Sequence, residues 1–195
     1  MSERTKDVPE LRFRGFEGKW ERRRFDEIVE RASTSCCEPE LPRVEYEDVV
    51  PETGDLNKDI FSKESDKKGI EFHPGDILYG KLRPYLHHWL LPDFSGIAVG
   101  DFWVMRPITS DARFVYRLIQ GARFDEVANQ SAGSKMPRAD WNLVAKTEFY
   151  VPESIDEQAK IGEVFIGFDS LLTLYRRKLE ILQNAKKSLL DKLFV

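Results

Sequence analysis

The stretch Val151-Pro152-Glu153-Ser154-Ile155-Asp156-Glu157-Gln158 opens the last forty residues, and those residues decide the architecture. A proline-marked strand end runs into a long helix whose apolar residues keep a 4,3,4,3 rhythm. Ile161, Phe165, Phe168, Leu172, Tyr175, Leu179, Leu182, Leu189 and Leu193 fall on one seam, interrupted only by Lys186. An ordinary globular helix is shorter and carries a wider apolar face. A narrow seam sustained this long is the pattern of a coiled coil. At about 1.5 Å per residue, Ile161 to Leu193 spans roughly 50 Å, more than one ordinary domain can bury. The seam needs a partner.

Working outward, the 195 residues are 41% hydrophobic and 33% charged, enough for one core of ordinary size plus an appendage. No apolar run has the length of a membrane span, and the charged N-terminus is unlike a signal peptide, so a cytoplasmic location is expected. Cys36 and Cys37 are adjacent, form no CxxC or disulfide framework, and read as reduced thiols.

The net charge of −4 is unevenly placed. From Glu38 to Asp66 ten acids face three basic residues, −7 in that stretch, which leaves +3 for the rest. Basic clusters stand at Arg22-Arg23-Arg24, Lys81/Arg83, Lys135/Arg138 and Arg176-Arg177-Lys178. Phosphate binding needs a local basic face rather than a basic protein, so nucleic acid is permitted without being required.

Residues 1–19 read as an extended arm, followed by a strand from Lys19-Trp20 to Phe25 and a helix from Glu27 to about Ala32 capped by Asp26. A strand is expected around Val44–Val50 within an irregular acidic segment. Short strands are expected at Ile77–Lys81, Leu86–Leu91 and Phe102–Met105, with glycines at 80, 96 and 100 between them. Helical spacing runs from Asp111 to Val127, and Glu148–Val151 closes the domain. The fold class is mixed α/β: a compact domain at residues 1–153, then one long coiled-coil helix at 154–195.

Catalytic chemistry finds little support. There is no glycine-rich cofactor loop and no D/N-P-P-Y motif of a methyltransferase. Glu52 with Asp66-Lys67-Lys68 loosely matches a nuclease spacing, but Asp66 sits in a polar stretch with no strand to hold a metal ligand. His87 and His88 would point to opposite faces of a strand and make a poor chelating pair. No nucleophile, base and orienting group assemble.

Tyr79-Gly80-Lys81-Leu82-Arg83-Pro84-Tyr85 is more suggestive, with two cations and two aromatics around a backbone fixed by glycine and proline. On a strand, Lys81 and Arg83 would share a face toward phosphates or base edges; solvated charges at a strand end are the alternative. Gly133-Ser134-Lys135-Met136-Pro137-Arg138 reads the same way, its small residues allowing close approach. Lys81, Arg83, Tyr85, Ser134, Lys135 and Arg138 are the candidate DNA contacts.

Taken together, these blocks resemble the DNA-specificity (S) subunit of type I restriction–modification systems, in a half-size form. Pro9-Glu10-Leu11-Arg12-Phe13-Arg14-Gly15-Phe16 with Trp20 is similar to the family's opening. Gly75 to Tyr85, Gly96, Asp101-Phe102 and Val104-Met105-Arg106-Pro107 are similar to the centre of its target-recognition domain. Gly133-Ser134 through Val151-Pro152, then Glu157-Gln158 and Ile161, resemble the passage into its helix. Ser188-Leu189-Leu190-Asp191-Lys192-Leu193-Phe194-Val195 resembles a family C-terminus.

The resemblance implies a target-recognition domain that reads one half of a split double-stranded DNA site, with the helix as a ruler. It implies docking on methyltransferase (modification) subunits and, through them, on the restriction subunit. Catalysis, S-adenosylmethionine, Mg and ATP belong to those partners, so the chain itself is expected to hold no cofactor or metal and to be no enzyme. The usual subunit has two such domains and two helices. This chain has one of each, as a natural half-subunit or as a piece of a longer chain. Two copies paired through the seam in antiparallel fashion would restore the full count. A truncated protein that occupies modification subunits without reading DNA is the alternative, with a metal-dependent nuclease behind it.

Overall fold

The structure, a computed structural model, describes residues 7–62, 65–130 and 135–194. In chain order the elements are β1 (Glu21–Arg24), α1 (Phe25–Ile28), β2 (Val29–Ala32), β3 (Ser35–Cys36), β4 (Arg43–Val44), β5 (Gly69–Phe72), β6 (Ile77–Gly80), β7 (Trp89–Leu90), β8 (Gly96–Ala98), β9 (Phe102–Pro107), α2 (Ala112–Leu118), α3 (Ala122–Ala128), α4 (Trp141–Lys146), β10 (Glu148–Val151) and α5 (Ile155–Leu193). The mixed α/β class and the long C-terminal helix are as expected. Contacts divide the chain into a compact unit of residues 1–162 and a helical unit of residues 163–195.

The core of the first unit is a sheet in the order β2-β9-β6-β7, antiparallel throughout. Both faces are buried, and the two-residue period of a strand sorts its side chains between them. Ile77, Tyr79, Trp103 and Met105 meet α2, α3 and α4 around Phe25, Phe114, Phe124 and Val144. Leu78, Leu90, Phe102 and Val104 face the other way, onto Val44, Phe72 and Ala98. The latter come from a second sheet, β3-β5-β8-β4, in which only the β4–β8 pair is parallel. A third, two-stranded sheet pairs β1 with β10 in antiparallel register, Glu21 opposite Val151. It sets the chain's exit into α5.

Several local expectations give way to tertiary pairing. The helix expected over Glu27–Ala32 is one short turn, Phe25–Ile28, after which Val29–Ala32 extends to pair with β9. Asp26 lies inside that turn and pairs with Arg24 instead of capping it. The strand expected over Val44–Val50 stops at Val44, because the Asp48 carboxylate accepts from the Glu45 amide at 2.9 Å and winds Tyr46–Asp48 into a 3-10 turn. The Asp111–Val127 helix is two, broken at Gly121, and Asp111 does cap the first by accepting from the Phe114 amide. The strand expected over Leu86–Leu91 is only Trp89–Leu90.

α5 is 39 residues long, about 58 Å at the α-helical rise. Its first two turns belong to the compact unit: Ile161 packs on the core, and the Gln158 side chain bridges the Pro152 carbonyl and the Asp111 amide. Beyond Gly162 the large apolar side chains lie open, from Phe165 at 46% exposure to Leu193 at 72%. Among the described residues no helix is long and apolar enough to cross a membrane.

Candidate nucleic-acid interface

All four residues of β6 are buried, and its last position, Gly80, has no room for a side chain. A Cβ there would stand 2.8 Å from the Tyr46 ring and 2.9 Å from the His88 Cβ. The chain leaves the sheet at this point. The Lys81 amide donates to the Asp101 carbonyl, and the Lys81 carbonyl accepts from the Ala139 amide, both at 2.8 Å. Leu82 and Arg138 then form an antiparallel bridge, and the Arg83 amide donates to the Pro137 carbonyl at 2.7 Å. The Tyr46 hydroxyl holds the Leu82 carbonyl from behind at 2.7 Å. Two segments more than fifty residues apart are thus stitched into one edge, carrying Lys81, Arg83, Tyr85 and Arg138.

The expectation that Lys81 and Arg83 alternate along one strand is corrected by this turn. Arg83 adopts the left-handed region at φ 48°, buried Pro84 starts a 3-10 turn through Leu86, and His87 is left-handed again at φ 55°. Each such residue costs about 1–2 kcal/mol, so the surroundings must enforce the shape. They do so through His87. Its ring stacks on Trp89 at 5.2 Å, its Nε2 lies 2.8 Å from an Asp125 carboxylate oxygen, and its carbonyl accepts from the amide of Glu52, itself at φ 64°.

Of the two aromatics read into the motif, only Tyr85 is open, at 52% exposure; Tyr79 is core. His88 is buried against Tyr46, ring centroids 4.0 Å apart. Burial pushes the Tyr46 phenol above its ordinary pKa, and the nearby Arg83 charge partly offsets this.

The four cations differ in what holds them. Arg138 donates from Nε and Nη2 to the two carboxylate oxygens of Asp101, each at 3.2 Å, and the Lys81 ammonium lies 3.8 Å from Asp101 Oδ1. Those hydrogen bonds raise the Arg138 pKa above its ordinary value. Arg83 is exposed, with no ion pair or side-chain hydrogen bond among the described residues. Lys135 is exposed as well, and Ser134 lies outside the described residues. Arg22 and Arg24 are surface residues paired with Glu148 and Asp26.

Sequence reasoning missed Asp101, Tyr46, Asp125 and the turn role of His87. Only Asp101 left a trace, as the polar residue between a glycine turn and an apolar strand. Among the described residues no group of three or more His, Cys, Asp or Glu side chains is arranged to hold a metal ion.

No protein-family model matches the chain. In sequence it is 24% identical over 202 residues to the EcoDI type I restriction enzyme specificity subunit of Escherichia coli, covering 98% of this chain and 44% of that protein. In fold it is similar to the HsdS subunit from Thermoanaerobacter tengcongensis, with a TM-score of 0.64 at 19% identity over 96% of this chain and 50% of the other. The type I restriction–modification S subunit from M. genitalium gives 0.62 at 15% identity, over 96% and 48%. The chain therefore spans about half the length of the proteins it matches. The likeness to a half-size S subunit, first read from separate blocks, extends over nearly the whole chain in sequence and in fold.

Proposed function

We propose that the chain is a DNA-specificity subunit of a type I restriction–modification complex, cytoplasmic and without a catalytic step of its own. The stitched basic edge would read one half of a bipartite target. The observation that carries this is the Leu82–Arg138 bridge, which joins both suspected DNA-contacting segments at an exposed, strained turn in a domain with the S-subunit fold.

The exposed seam of α5 from Phe165 to Leu193 supports pairing with a second copy, antiparallel, so that two domains read the same half-site in opposite orientation. Off that seam a second apolar row, Leu171, Leu174 and Ile181, is 51–61% exposed and offers a separate face to methyltransferase subunits. Those subunits would supply the methyl transfer and bind S-adenosylmethionine, and the restriction subunit the Mg- and ATP-dependent cleavage.

Co-expression with modification subunits, followed by mapping of methylated genomic sites, tests the reading. The expected result is methylation at an interrupted palindrome that depends on this chain. The alternative is a protein that occupies modification subunits without directing them to a cognate sequence. Complex formation without any chain-dependent methylation pattern would establish that reading and overturn the first.

A further inference from the structure

Four carboxylates among the described residues take an arginine in two-pronged fashion, and one pair is longer than the others. At the surface Arg24 meets Asp26 at 2.9 and 2.7 Å. Arg12 meets Glu157 at 2.8 and 2.8 Å, and Arg106 meets Asp76 at 2.8 and 2.7 Å. Both acids are buried, at 1% and 4% side-chain exposure. Arg138 meets Asp101 at 3.2 and 3.2 Å, with Asp101 28% and Arg138 51% exposed. The first three pairs have the distances of tight charge-assisted bonds, whether buried or exposed; the Arg138–Asp101 pair alone is long, and it is within reach of water.

Asp101 also draws on a second cation, Lys81, at 3.8 Å. Its backbone is fixed: it follows Gly100 at φ 87°, its carbonyl accepts from the Lys81 amide, and Phe102 after it is core. The carboxylate therefore stays in place while the two long side chains above it are free to exchange partners. A carboxylate and a phosphate present an arginine with the same pair of acceptor oxygens.

Resting on the DNA-binding reading above, we infer that Asp101 is an internal stand-in for DNA phosphate. It occupies Lys81 and Arg138 in the free protein and restrains sequence-independent binding. Loose association with arbitrary DNA is driven by the number of phosphates that cations neutralise. With Asp101 in place, only Arg83 and Lys135 at this edge are free of ion pairs among the described residues. Lys81 and Arg138 contribute only after giving up a partner, and the Asp101 charge repels the approaching backbone. The bare count of basic residues thus overstates the charge this edge presents to non-cognate DNA.

The test is binding of the full chain to a random-sequence duplex by fluorescence anisotropy, between about 50 and 200 mM salt. Asp101→Asn keeps the shape and removes the charge. It should bind on the order of tenfold more tightly at the low-salt end and steepen the slope of log K against log salt by up to about 1.8, the value for two further phosphate contacts. Asp101→Asn combined with Arg138→Gln should lose most of that gain. Asp101→Ser serves as the second variant should the first not fold. If Arg83→Ala weakens binding while neither Asp101 variant changes affinity or slope, the inference fails and the DNA-binding reading stands. Weaker binding by folded Asp101 variants overturns the inference too, since Asp101 would then be orienting Arg138 toward DNA. Absence of duplex binding by every form overturns both.

Discussion

Arg12 donates from Nε and Nη2 to the two carboxylate oxygens of Glu157, each at 2.8 Å, across 145 residues of sequence. The carboxylate is 1% exposed and stands in the first turn of α5, where the helix dipole favours negative charge. Arg12 also donates to the Gly18 and Glu17 carbonyls, so the N-terminal segment is tied to the entry of the helix. Removing one partner strands the other, and the cost lies mainly in the stranded buried charge. Arg12→Met should therefore lower the melting temperature more than the double change Arg12→Met with Glu157→Gln, in which no charge is orphaned. A double variant less stable than the single in thermal unfolding would contradict this.

Gly162 and Gly167 occupy the same helix with opposite consequences. A Cβ on Gly162 would lie 2.5 Å from the Arg113 Cβ and 2.9 Å from its carbonyl carbon, against nothing within 4 Å for Gly167. Alanine is worth about 1 kcal/mol over glycine in a helix interior. Gly167→Ala should keep that gain. Gly162→Ala should lose it to overpacking of about 1–3 kcal/mol and be destabilising on balance, since the obstructing atoms are partly backbone. Urea unfolding of both variants reads the two signs directly.

The elements legible in the sequence are those whose signal is local. The seam of α5, the Asp111 cap, strand β10 and the apolar runs of β6 and β9 each announce themselves within a few residues. What escaped depends on partners far along the chain. Val29–Ala32 has helical neighbours and becomes a strand because β9 offers it hydrogen bonds. Trp141–Lys146, too short for a periodic pattern, is fixed by Asp140 accepting from the Asn142 amide and by packing on α1 and α3. The candidate site was legible as two separate basic loops. Their joining through Leu82 and Arg138, and the choice of Asp101 as the shared acid, arise only once the sheet has formed.

His88 is 6% exposed, and its Nδ1 has no hydrogen-bond partner among the described residues. Burial lowers its pKa below the ordinary histidine value, and the neighbouring His87 adds to the effect. Above about pH 6.5 the ring is neutral in both folded and unfolded chains and contributes nothing to the pH dependence. As pH falls through that value the unfolded chain takes up a proton that the folded one resists, so stability declines on acidification. His88→Gln should flatten the wild-type decline in urea midpoint between about pH 7 and pH 5.5. Parallel curves for the two proteins would show that the decline has another source.

Eight seam residues, Phe165, Phe168, Leu172, Tyr175, Leu179, Leu182, Leu189 and Leu193, remain open once Ile161 is given to the domain core. Burial at about 1.5–3 kcal/mol each sets an upper bound of about 12–24 kcal/mol, against an association cost of about 4–15 kcal/mol. The balance favours a pair, and light scattering at micromolar concentration should give twice the chain mass of 22.7 kDa. Leu172→Asp or Leu179→Asp places an uncompensated charge in the seam and should weaken pairing by at least about 2 kcal/mol, roughly thirtyfold. Lys186 separates the two directions of pairing. A parallel dimer sets two Lys186 ammonium groups at one level, whereas an antiparallel dimer keeps them apart. Lys186→Leu should therefore tighten the pair only modestly and without a change in its salt dependence. A strong, salt-sensitive gain would indicate parallel pairing, and a wild-type monomer under these conditions would end the homodimer reading.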